Sequence, residues 1–235
     1  MRSIGGNVRD SVVSSLANAR WSALLVTVLV GLWVPMALRG GPEQMAEWFV
    51  LLGLTRDGVL GGAYWQLLSY GLIHGSAMHL GLNMLVLLLI GGRIEHILGG
   101  PVALRIFLLG VLGGGLAHML LVPGGPESAI LAGASGGAMA WLLTLTTLSP
   151  ESRMWPLPVS ARNLGLGLLL GAALLAAIDP ALGIPGLAGV GGWVEGKIGP
   201  LSSIGHACHL GGGIAGWRYG RWILRPRVSL EVLRR

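Results

Sequence analysis

Hydrophobic residues run through this chain in six long blocks, separated by short polar or glycine-rich segments. A membrane-spanning helix needs about 20 predominantly apolar residues. By that measure the blocks predict helices at roughly 21–38, 77–97, 101–122, 134–149, 163–182 and 204–224. The fourth is short, about 16 residues, so at a rise of about 1.5 Å per residue one of its ends lies about 6 Å below the membrane surface. Residues 40–76 mix Glu43, Glu47, Arg56 and Asp57 with the apolar run 48–52. That stretch is too polar to span and too apolar to be a free loop, which predicts an ordered element in or near the interface. Residues 183–203 carry Gly183, Gly186, Gly189, Gly191, Gly192, Gly196 and Gly199 beside Trp193. Glycine at that density predicts a flexible loop, one that caps a cavity and moves with the fifth helix to admit substrate from the lipid.

Composition turns the pattern into a class. Of the 235 residues, 53% are hydrophobic and 11% charged, against about 25% charged in soluble domains, and the mean hydropathy is +0.71. The expectation is an all-α integral membrane protein with one polytopic core over 21–225, flanked by cytoplasmic tails at 1–20 and 226–235. The net charge of +6 could signal nucleic acid, but the arginines flank hydrophobic runs instead of forming a basic face, so no nucleic-acid partner is expected. They set orientation instead. With both termini cytoplasmic, only Arg39, Arg56 and Lys197 fall on the outer side, and every other arginine falls inside. Residues 1–20 combine Arg2, Arg9 and Arg20 with serines, faintly like an organellar transit peptide; a short cytoplasmic tail is the simpler reading. Cys208 is the single cysteine, so no intramolecular disulfide can form.

Against this apolar background a few polar residues stand out. Ser135 opens the short fourth helix within Gly133-Ala134-Ser135-Gly136, and His209 lies about 8 Å inside the sixth. Polar groups at membrane depth are costly and read as functional by default. A serine beside a histidine suggests a nucleophile and its base, and the unpaired N–H groups of a helix start can receive an oxyanion. His79 and Asn83, four residues apart, share one face of the second helix at the same depth. Ala132, Gly136 and Ala140 on the fourth helix, and Gly212, Gly216 and Gly220 on the sixth, repeat every four residues. Small residues at this spacing let membrane helices approach closely. Alone, that spacing says only that the helices form a packed pair.

Taken in order, His74-Gly-Ser-Ala-Met-His79-Leu-Gly-Leu-Asn83, Gly92-Arg93-Ile94-Glu95, Gly133-Ala134-Ser135-Gly136 and His209 with Gly212 and Gly216 resemble the rhomboid intramembrane serine proteases over about residues 20–225. The resemblance implies a six-helix bundle with an interfacial first loop. It implies Ser135 as nucleophile and His209 as its base, a dyad without a carboxylate. His79, Asn83 and Gly136 would bind the oxyanion and substrate, with the Ser135 N–H. His74, Glu95, Gly212 and Gly216 would be structural, Glu95 by tying helices together at the cytoplasmic end. Implied partners are single-span membrane proteins and the bilayer, with no cofactor and no metal. The sequence departs from the family in one place. Gln66 follows Trp65 where an arginine often anchors the first loop.

Other histidines are read as structural: His206 shapes the cavity mouth, His118 is a core or interface residue, His96 is solvated on the inner side, and Cys208 packs. Two further readings stay open. One is a catalytically silent rhomboid-like protein that binds client helices, although its usual mark is a missing serine or histidine. The other is a haem or metal protein using His74, His79, His206 and His209, which leaves the Ser135 motif unexplained. A bacterial inner membrane is the expected location.

Overall fold

Lipid offers no hydrogen-bond partners to a backbone, so long apolar runs must satisfy their own N–H and C=O groups, and helices do this. The computed structural model describes residues 19–39, 42–125, 130–153, 159–198 and 205–225. The two tails, save Ala19 and Arg20, lie outside that set. The described residues form helices α1 (Arg20–Arg39), α2 (Pro42–Leu52), α3 (Arg56–Leu60), α4 (Gln66–Ser69), α5 (Ala77–Leu98) and α6 (Gly100–Leu121). They continue with α7 (Ser135–Leu148), α8 (Ala161–Ile178), α9 (Leu187–Ile198) and α10 (His206–Ile223), with short 3-10 turns after α4 and α8. No strand is present among them, only two isolated bridges.

Four helices, at Arg20–Leu38, Ala77–Leu98, Gly100–Leu121 and Ala161–Ile178, are long and apolar enough to cross a membrane. This is an integral membrane protein of the all-helical class. The other two predicted spans fold as α7 and α10, but α7 has 14 residues and α10 carries two histidines and two arginines within its 18.

The centre of the bundle is α7, on which α5, α6, α8 and α10 all pack. Its sequence is apolar or small all round, the mark of a helix with no solvent face. Glycines set the close approaches. A Cβ on Gly212 would overlap the Gly136 backbone, one on Gly216 the Ala140 carbonyl, and one on Gly110 of α6 the Ala140 side chain. Polar links reinforce the packing: Trp141 Nε1 donates to the Ala103 carbonyl at 2.7 Å and Thr144 Oγ1 to the Gly216 carbonyl at 3.0 Å.

At the far end of α5, Glu95 caps a different helix. Its buried carboxylate accepts from the Trp21 N–H at 2.9 Å, the Ser22 N–H at 2.6 Å and the Ser22 hydroxyl. The first N–H groups of a helix have no intrahelical partner and favour a negative charge, so Glu95 docks the start of α1 onto α5. Glu95→Ala would strand these donors. With hydrogen bonds to charged groups contributing about 1.5–3 kcal/mol each, a loss of about 3 kcal/mol is expected, read as a lower thermal midpoint in detergent.

The segment 42–76 is ordered. Gln66, buried, does the anchoring expected of an arginine: its Nε2 donates to the Val50 carbonyl at 3.0 Å and its Oε1 accepts from the Thr55 N–H at 3.3 Å. Next to it, Trp65 Nε1 donates to the Leu51 carbonyl at 2.8 Å. The departure at position 66 therefore does not leave the first loop unanchored.

The glycine-rich stretch corrects the sequence reading. Residues 187–198 form helix α9, not a flexible loop; 199–204 lie outside the described residues. Composition misled because glycine in an apolar helix can permit close packing: a Cβ on Gly191 would overlap the Ile178 carbonyl at the end of α8.

Candidate functional site

Ser135 is the first residue of α7 and His209 the fourth of α10. The glycine contacts between these helices bring them into register, and His209 Nε2 lies 2.9 Å from Ser135 Oγ. With Nε2 as acceptor, the serine hydroxyl donates to the imidazole, the arrangement that activates a weak nucleophile. Both side chains are half-buried, so the pair is packed within the bundle and still partly exposed.

The chain enters α7 by a constrained path. Leu54 and Leu131 exchange backbone hydrogen bonds at 3.0 and 2.9 Å, and the Gly133 N–H donates to the Tyr70 carbonyl at 2.9 Å. Gly133 has φ +121°, where a side chain would be strained. A Cβ there would also sit 2.7 Å from the His79 ring. Ala134 follows, its N–H donating to His74 Nε2 at 3.3 Å. The two residues that precede Ser135 are thus both held before the helix begins. Within the first turn the earliest internal bond is from the Ala138 N–H to the Ala134 carbonyl, so the Ser135, Gly136 and Gly137 N–H groups have no helical partner.

The remaining candidates divide. His79 lies against Gly133, and its ring meets that of His74 edge-on at 5.1 Å between centroids. Asn83 is buried and donates through Nδ2 to the His79 carbonyl of its own helix at 2.9 Å. Among the described residues neither His79 nor Asn83 bonds Ser135. A Cβ on Gly136 would meet Cys208 Sγ and Tyr70 Oη at 3.0 Å, and the Gly136 carbonyl lies against Gly212. His74 is fully buried, and its carbonyl accepts from Trp33 Nε1 at 2.9 Å. His206 is buried and meets His209 edge-on at 6.3 Å. The four histidines thus form two separate ring contacts, and no group of three metal-ligating side chains gathers among the described residues. His118 is buried, His96 exposed. Cys208 is fully buried, 3.4 Å from Tyr70 Oη.

Sequence reasoning missed Tyr70. Its hydroxyl donates to the Val111 carbonyl at 2.6 Å while its own carbonyl holds Gly133, so it ties α6 to the entry of α7. A tyrosine in a long, apolar-polar mixed segment carried no signal of this, because both partners are backbone atoms distant in sequence.

Comparison with known proteins supports the family resemblance over a shorter span than the sequence reading gave, without the first block. A family model described as a Rhomboid domain matches residues 61–226, well over half the chain, a span that contains His79, Asn83, Ser135 and His209. Curated proteins yield no match.

Proposed function

The chain belongs to the rhomboid family, and from that membership we propose that it is an intramembrane serine endopeptidase working through a Ser135–His209 dyad. The observation that carries this reading is the 2.9 Å contact between Ser135 Oγ and His209 Nε2, made by residues 74 positions apart on two helices packed through glycine.

The chemistry follows from the geometry. A substrate peptide presents its scissile carbonyl to Ser135 in an extended form, because a helix hides its carbonyl carbons. As Oγ attacks, its proton passes to His209 Nε2. The negative charge on the former carbonyl oxygen is met at the start of α7 by the Ser135 N–H, where helix geometry leaves donors free. His79 completes that pocket from the side of Gly133. Asn83 adds the amide N–H not engaged by the His79 carbonyl, since an amide nitrogen carries two donors. His209 then protonates the leaving amine, and water attacks the acyl-enzyme by the same route in reverse. Substrates are single-span membrane proteins with helix-breaking residues near the cut and a small residue before it. All six long blocks span, α7 and α10 included, with termini in the cytoplasm, the site in the outer half of a bacterial inner membrane, and 42–76 lying at the outer interface.

The test is reconstitution of the full chain in liposomes with single-span peptides that do or do not carry a helix-breaking residue. New termini mapped by mass spectrometry, favoured by the helix-breaking peptides, are expected. Retention of intact peptides in a stoichiometric complex, with no new termini, would replace this reading with the client-binding one.

A further inference from the structure

At the opposite end of the bundle from Ser135 lies a groove that hydrolysis does not use. It opens where α7, α8 and α10 converge and has a volume of about 780 Å³, within the usual range of about 300–1,000 Å³ for small-molecule sites. Thr146, on its wall, stands eleven residues beyond Ser135, about 17 Å along α7. The groove is apolar inside, walled by Leu143, Leu166, Leu169 and Ile214. Leu166 and Ile214 are exposed, so the wall continues onto the outer face of the bundle.

The rim has the opposite character. Arg162, Arg221 and Arg225 line it with Trp217. Arg162 is paired with Glu151 at 2.6 Å. The guanidinium of Arg221 lies 5.7 Å from the centre of the Trp217 ring, and among the described residues neither it nor Arg225 meets a carboxylate. Two guanidinium groups without a carboxylate partner among the described residues thus stand at the mouth of an apolar trough. Arginine's planar fork suits phosphate oxygens, and a ring that is apolar with a polar edge suits the headgroup level. The arginine bias along the chain places this end at the cytoplasmic leaflet, where anionic lipids concentrate and basic pockets between helices hold their headgroups.

We propose that this groove binds one anionic phospholipid of the cytoplasmic leaflet. Its phosphodiester sits on Arg221 and Arg225, and an acyl chain lies along Leu166, Leu169 and Ile214. The proposal needs the chain's orientation in the membrane but not the hydrolytic reading. A bound lipid would join the ends of α7, α8 and α10.

Native mass spectrometry of the full chain in neutral detergent tests it, with phosphatidylglycerol and phosphatidylcholine of identical chains as probes. One phosphatidylglycerol should be retained at least about tenfold more tightly than phosphatidylcholine. Arg221→Gln with Arg225→Gln should weaken it at least about tenfold, since two charge-assisted contacts go, with helix content by circular dichroism unchanged. Ile214→Trp keeps both arginines but fills the trough, and it should also weaken retention, which decides the matter if the double variant does not fold. Equal affinity for the two lipids, unchanged retention by either folded variant, or full displacement by millimolar inorganic phosphate would overturn the proposal, the last by showing a bare anion site.

Discussion

Ser135→Ala is expected to abolish cleavage of a membrane substrate, a loss of at least about 10⁴-fold in rate. In the proposed mechanism the Ser135 hydroxyl oxygen forms the acyl bond, and among the described residues no second serine hydroxyl or cysteine thiol lies against His209: Cys208, its neighbour on α10, is fully buried against Tyr70. His209→Ala should cost nearly as much. Without Nε2 at 2.9 Å the serine has no acceptor for its proton and the leaving amine has no donor. The double variant should be no worse than either single one, because residues acting as a unit show strongly non-additive losses. Initial rates for the three variants and wild type, measured in one liposome preparation, check this. Losses that multiplied in the double variant would mean that Ser135 and His209 act in separate steps.

Gly212→Ala should lower the rate by about 10²-fold, although it touches no reacting atom. The added Cβ would overlap the carbonyl and Cα of Gly136. Those are backbone atoms of the first turn of α7, so no side-chain rotation relieves the clash and the two helices must separate. Overpacking of this kind costs about 1–3 kcal/mol in stability. The greater effect is on geometry. Gly212 stands one turn from His209, and displacement of a reacting group by about 1 Å can cost about 10²-fold in rate. Gly167→Ala serves as the comparison. Nothing lies within 4 Å of a Cβ built there, and removing a mid-helix glycine should raise stability by about 0.5–1 kcal/mol with activity unchanged. Thermal midpoints and initial rates of the two variants separate packing from a general intolerance of glycine replacement.

The long blocks were legible because lipid imposes one rule on every residue in a span, and that rule shows in composition. The predicted 101–122 and 134–149 differ by one residue at each end from Gly100–Leu121 and Ser135–Leu148. The fifth block was read too long, since Pro180 removes a helical donor and opens a 3-10 turn after Asp179. The site was legible in part for the same reason: Ser135 and His209 are conspicuous where polar groups are expensive. What pairs with what was not. Gln66 reaching Val50 and Thr55, Leu54 bridging Leu131, and Tyr70 holding Gly133 are tertiary contacts to backbone atoms, which leave no trace in residue type. Asn83 was read as facing the oxyanion, and the structure adds its bond to the His79 carbonyl. Helix α9 was hidden because seven glycines between 183 and 199 look alike whether they loosen a loop or admit a neighbour.

Activation of Ser135 as a nucleophile by His209 is tested most directly by fluorophosphonate labelling of the detergent-solubilised full chain, with the modified residue located by mass spectrometry. One adduct is expected, on Ser135, and none in His209→Ala. An unlabelled wild-type sample that is folded, beside a control hydrolase that labels, or an adduct that survives His209→Ala, would contradict it.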